Sequence, residues 1–133
     1  MEENLFVYGT LRQGAAHPMF QVLAAHSKPR GTGYFPGKLY DLGHYPAAIP
    51  AAEDGWQVLG EVYQLLRPET QFRELDRYEG CAPESPEPHL YIREKHLLTM
   101  KGGDRLEAWI YLFRQSLTSA RQILNGDYLN PTY

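Results

Sequence analysis

A chain of 133 residues, 43% hydrophobic and 22% charged, has the size and balance of one globular domain, expected to span 1–133. The formal charge of −3, with lysines and arginines scattered singly, argues against a nucleic-acid partner, which requires a clustered basic surface. No apolar run reaches the roughly 18 residues that cross a bilayer, so no membrane span is expected.

Met1-Glu2-Glu3-Asn4 leads directly into apolar residues 5–8, a first strand stopped by Gly9, and this start predicts no signal peptide. Residues 12–16 read as a turn, and Pro18 opens a short helix over Met19, Phe20, Leu23 and Ala24. From Gly31 to Gly43, glycines alternate with aromatic and aliphatic residues, which predicts short strands with tight bends. Pro46 and Pro50 block regular pairing, so 44–50 is predicted as a loop. Residues 57–66 form a strand, with Val58, Gly60 and Val62 on one face and Leu59, Tyr63 and Leu65 on the other. Pro68 and Glu69 start a helix on which Phe72, Leu75 and Tyr78 share a face, and Gly80 ends it.

Residues 81–89 hold three prolines and read as irregular. Cys81, the single cysteine, lies there; it excludes an internal disulfide and points to a reducing cytoplasm. Residues 90–100 are extended, 101–104 make a hairpin turn, and 105–113 pair back. Both faces of that last strand are apolar, so both are covered, as in a small barrel with helices packed outside. Residues 116–124 read as a final helix capped by Ser116 and ended by Asn125-Gly126. The sum is an α+β fold: a small, mostly antiparallel β-barrel with two or three short flanking helices. No amphipathic stripe stands out as an interface, which predicts a monomer.

Few residues offer chemistry. The five histidines lack metal-ligand spacing and Cys81 has no cysteine neighbour, so no metal is expected. Nothing local lowers the Cys81 thiol pKa, and it is read as a small buried or loop residue rather than a nucleophile. Glu61, mid-strand among apolar neighbours, is either a functional acid or a solvated edge residue. Glu79 falls at the predicted C-terminal end of a helix, where the negative end of the dipole disfavours an ionised carboxylate. A dry site would raise its pKa further, toward a general base; an exposed glutamate at a frayed helix end is the alternative. The ten tyrosines point to half-buried sheet faces or an aromatic-lined pocket.

Six blocks then occur in a fixed order: Phe6-Val7-Tyr8-Gly9-Thr10-Leu11, Gly43-His44-Tyr45-Pro46-Ala47, Gly60-Glu61-Val62-Tyr63, Leu75-Asp76-Arg77-Tyr78-Glu79-Gly80, Tyr91-Ile92-Arg93 and Ala108-Trp109-Ile110-Tyr111. Together they resemble the gamma-glutamylcyclotransferase-like family, nearest its gamma-glutamylamine cyclotransferase type. The resemblance implies a mixed fold around a β-barrel. It also implies an enzyme that converts a γ-glutamyl amide, amine or peptide into 5-oxoproline and a free amine, without metal or organic cofactor. By the same resemblance Glu79 is the catalytic acid/base, and Tyr8, Gly9, Thr10 and Leu11 hold the substrate through main-chain N–H groups. Tyr45 and Tyr91 are expected at the pocket, with the Tyr91 hydroxyl near Glu79; Arg93 is expected to be structural, and Trp109 and Tyr111 to pack in the core. Some members of the family lack the glutamate, so a binding module for a small γ-glutamyl or amino-acid ligand is the alternative reading.

Overall fold

Strand β1 (Glu3–Val7) has no polar face to give to water, and the fold is arranged around that fact. Leu5 and Val7 point one way and Phe6 the other, and all three are buried. The computed structural model, which describes residues 2–51 and 55–133, satisfies β1 on both edges as well. It pairs antiparallel with β4 (Gln57–Leu65) and parallel with β6 (Arg105–Phe113). On the far side of β4 lies β2 (Ser27–Asp41), and on the far side of β6 lies β5 (Tyr91–Met100). Strands β2 and β5 meet through Gly33–Met100 and Tyr34–Thr99, which closes a five-stranded barrel.

The barrel interior is filled by Phe6, Phe35, Val58, Val62, Leu98, Ala108, Ile110 and Leu112, drawn from all five strands. The opposite face of β1 and β6 carries Leu5, Val7, Tyr111 and Phe113, which pack with Phe72 and Leu75 of helix α2 (Pro68–Glu79) and Leu23 of helix α1 (Pro18–Ala25). The two apolar faces of β6 are thus covered as the sequence predicts, and the architecture is α+β. Among the described residues, no helix is long and apolar enough to cross a membrane.

Three segments depart from expectation. Glycine and proline between 29 and 37 do not break the chain into short strands; β2 runs 15 residues and absorbs the irregularity as a register shift between Pro29 and Gly31. Residues 46–50 are not a loop but strand β3 (Pro46–Pro50), tolerated because it lies at the end of the strand order, where a missing N–H costs no second ladder. Residues 116–124 are not a helix: turns lead into β7 (Arg121–Ile123), which pairs with the same end of β2. A helix there would share Leu117 and Leu124 on one face, but the structure instead buries Ile123 and leaves Leu124 about half exposed.

Helix α2 is docked by a polar junction as well as by apolar contact. Asp76 accepts from Arg93 Nε at 2.8 Å and Nη2 at 3.0 Å, and from the Tyr111 hydroxyl at 2.6 Å. The Arg93 guanidinium also lies over the Phe72 ring at 3.9 Å and over Trp109 at 4.7 Å. Removing it leaves a partly buried carboxylate short of its main partner. Arg93→Ala should therefore lower stability by about 2 kcal/mol in urea titration without changing the slope, and Arg93→Lys should recover less than half of that loss.

Candidate active site

A cleft of about 320 Å³ opens where the end of β1, the start of β3, the C-terminus of α2 and the start of β5 converge. Helix α2 ends where the sequence predicts. Gly80, at φ 76°, donates its N–H to Arg77 and Asp76 carbonyls, and Cys81 N–H bonds the Asp76 carbonyl at 2.9 Å. That stop leaves Glu79 as the last helical residue, beside the cleft.

Residue 79 is partly exposed, but its carboxyl is desolvated, and burial pushes its pKa up to about 8. The Asp76 carboxylate, one helical turn earlier, adds a smaller push in the same direction. Glu79 is therefore neither an exposed nor a frayed glutamate. Cys81 lies next to it, and burial with the two carboxylates raises its thiol to about 12, the opposite of an activated nucleophile.

All seven residues singled out from the sequence, Tyr8, Gly9, Thr10, Leu11, Tyr45, Glu79 and Tyr91, line this cleft. Their contacts modify the expected parts. Tyr91 donates its hydroxyl to the Pro46 carbonyl at 2.6 Å instead of standing free for Glu79. Tyr8 donates to the Tyr111 carbonyl at 2.5 Å. A Cβ built on Gly9 would lie 2.3 Å from Pro46 Cγ and 2.9 Å from Cδ, so this glycine is first of all the seat of the Pro46 ring. Among the described residues, the main-chain N–H groups of Gly9, Thr10 and Leu11 make no hydrogen bond within the protein. They are unspent donors beside a carboxyl-lined cleft.

The loop after β1 is pinned from behind. Glu61 accepts from Arg12 Nε at 3.3 Å, Gln13 N–H at 3.0 Å and the Tyr63 hydroxyl at 2.7 Å, while Arg12 Nη1 reaches Asp127 at 2.9 Å. Glu61 is thus an anchor, neither a free acid nor a solvated edge residue. At the mouth, Thr10 Oγ1 and the Tyr78 hydroxyl are 2.9 Å apart, and His17 Nε2 lies 3.4 Å from that hydroxyl.

Sequence reasoning missed Tyr78, Leu90 and Tyr111 as lining residues. The helical spacing puts Tyr78 with Phe72 and Leu75, yet Tyr78 turns out to the rim; Tyr111, expected to pack in the core, also lines the cleft. No sequence signal pairs Asp76 with a tyrosine 35 positions away. Among the described residues, no three histidine, cysteine or carboxylate side chains converge as metal ligands would.

Residues 5–130 match the family described as Gamma-glutamyl cyclotransferase, AIG2-like. The chain belongs to this family. It is 32% identical over 131 residues to the gamma-glutamylcyclotransferase family protein YtfP of Escherichia coli strain K12, covering 96% of both chains. It is 30% identical over 118 residues to gamma-glutamylaminecyclotransferase of Bos taurus, over 80% of this chain and 63% of that one. The crystal structure of an aig2-like protein from Mus musculus shares the fold, with a TM-score of 0.69 at 23% identity over 99% of this chain and 85% of that one.

In this cyclotransferase-family chain the Glu79 shift has a consequence for stability. The unfolded carboxyl titrates near 4.5 and the folded one near 8, so between those values only the folded state still holds the proton. Stability from this group is fully present below pH 4.5 and is lost as pH rises to 8. Glu79→Gln should be close to wild type at pH 4.5 and more stable at pH 9 by on the order of 2 kcal/mol, reduced from the full linkage value because the cleft is open to water. Urea titration at the two pH values measures it. The Gly9 contact gives a second test: Gly9→Ala should cost about 1–3 kcal/mol, and Pro46→Ala in the same chain should return at least half of it, read as thermal midpoints in a double-mutant cycle.

Proposed function

We propose that this protein is a γ-glutamyl cyclotransferase that releases 5-oxoproline, with Glu79 as its acid/base. The observation that carries the reading is the Glu79 carboxyl: desolvated, raised to about 8, and lining the same small cleft as Gly9, Thr10 and Leu11 with their unspent N–H groups. Family membership and the names of the bacterial and bovine relatives support the reaction class.

The chemistry is intramolecular. The substrate's α-nitrogen forms a bond to its own γ-carbonyl carbon, and the bond from that carbon to the amine nitrogen breaks. Folding the glutamyl chain into a ring-like pose supplies proximity. The α-ammonium must first lose a proton, which ionised Glu79 accepts; the protonated carboxyl then returns it to the departing nitrogen. A second proton leaves the attacking nitrogen as the tetrahedral intermediate collapses. Of the ammonium's three protons one stays on the ring nitrogen, and two depart with the amine as its ammonium.

A pKa near 8 suits both halves of that exchange, since the group gives and takes a proton near neutrality. The negative charge on the intermediate's oxygen, or the substrate's α-carboxylate, is received by main-chain N–H groups of Gly9, Thr10 and Leu11. Tyr8 and Tyr91, held by their own hydrogen bonds, wall the glutamyl group.

The test is 5-oxoproline release from γ-glutamyl amines, γ-glutamyl amino acids and glutathione. Wild type should turn over at least one class, and Glu79→Gln should fall by roughly 10²–10⁴-fold in kcat. kcat/KM should climb with pH through about 8, because the free enzyme must shed the Glu79 proton, and decline again where the substrate's ammonium titrates. Equal turnover by the Gln variant, or no release from any substrate, overturns the assignment.

A further inference from the structure

Tyr78 stands one residue before Glu79 at the end of α2, and its hydroxyl reaches two other segments. It lies 2.9 Å from Thr10 Oγ1, in the loop whose N–H groups are unspent, and 3.4 Å from His17 Nε2, at the start of α1. Among the described residues, the Thr10 contact is the one hydrogen bond that joins residues 8–13 to α2. The segment bearing Glu79 and the segment bearing the donors are thus tied through a single hydroxyl.

The rest of the loop is fixed from other directions. Tyr8 is held by the Tyr111 carbonyl, and Arg12 and Gln13 by Glu61. Between them, the Thr10 side chain has Tyr78 as its one hydrogen-bond partner among the described residues. The tie also has a direction. His17 caps α1 by accepting the Met19 N–H on Nδ1 at 3.1 Å, so its neutral ring carries the proton on Nε2. That N–H is offered to the Tyr78 oxygen, whose own proton is left for Thr10 Oγ1. The imidazole meets the Tyr78 ring edge-on at 5.4 Å, which restricts where the ring can turn.

On the reading that this is the cyclotransferase site, we infer that the Tyr78 hydroxyl is a positioning group for the reaction, holding the donor loop in register with Glu79 through Thr10. Proton transfer by Glu79 and charge stabilisation by the loop N–H groups act on one tetrahedral centre, so both depend on their mutual placement. A displacement of about 1 Å between such groups can lower the rate by as much as 10²-fold. The ring alone does not supply this tie.

Tyr78→Phe keeps the ring and removes the hydroxyl. It should lower kcat for 5-oxoproline release by about tenfold, with KM within about threefold of wild type and the thermal midpoint within about 4 °C. Thr10→Val breaks the same hydrogen bond from its other end, so adding Tyr78→Phe to it should change kcat by less than about twofold. A Phe variant with wild-type kcat, or losses that multiply in the double variant, overturns the inference and leaves the cyclotransferase reading intact. If wild type turns over no γ-glutamyl substrate, that reading fails, and NMR relaxation decides this one separately. The backbone order parameters of Gly9, Thr10 and Leu11 should then drop by about 0.1 or more in Tyr78→Phe, and unchanged values overturn the inference.

Discussion

The carboxylate of Asp76 takes two hydrogen bonds from the Arg93 fork and one from the Tyr111 hydroxyl, and through them α2 is fixed to β5 and β6. The side chain one turn further on, Glu79, inherits its place from that docking. It also inherits part of its chemistry, because the same Asp76 charge adds to the cost of ionising Glu79 after burial has set the main part. One junction thus does mechanical work on the helix and electrostatic work on the cleft. Arg93, lying over Phe72 and Trp109, links both to the packed outer face of the barrel.

The opposite wall is built by a different device. Strand β1 ends at Val7, and the chain beyond it has no ladder partner, so its geometry depends on side chains reaching back. Glu61 and Asp127 supply them, holding Arg12 and Gln13 from positions far apart in sequence. Pro46 fills the gap that Gly9 leaves and is itself held by Tyr91. The result is a loop held on both sides while its own N–H groups stay unspent, which is the preorganisation that recognition of a carboxylate or oxyanion calls for.

Much of this was legible in the sequence wherever local chemistry and tertiary role agree. Pro68, Glu69 and Gly80 mark the limits of α2, and the two apolar faces of β6 call for a core on each side. The residues of the cleft were legible as ordered blocks, and Glu79 as a carboxylate at a helix end. What local signals missed is what distant partners override. Prolines at 46 and 50 read as a loop because the sequence does not show that they fall on an edge. The helix expected at 116–124 lost to the burial of Ile123 against β2, a contact that spacing within the segment cannot reveal. The Asp76–Tyr111 and Arg12–Asp127 pairs span 35 and 115 positions and carry no local signature.

The placement of β1 also bears on the order in which the molecule can be made. The strand comes first in the chain, yet its two neighbours are residues 57–65 and 105–113. While the polypeptide emerges, an apolar segment buried on both faces in the finished protein must wait for nearly the whole sequence before both its edges are satisfied. Tyr8 and Gly9 sit at the end of that strand, and Tyr111 comes from the last of its partners. The lining of the cleft is therefore incomplete in every nascent fragment that stops short of β6, and its walls come together only as the barrel closes.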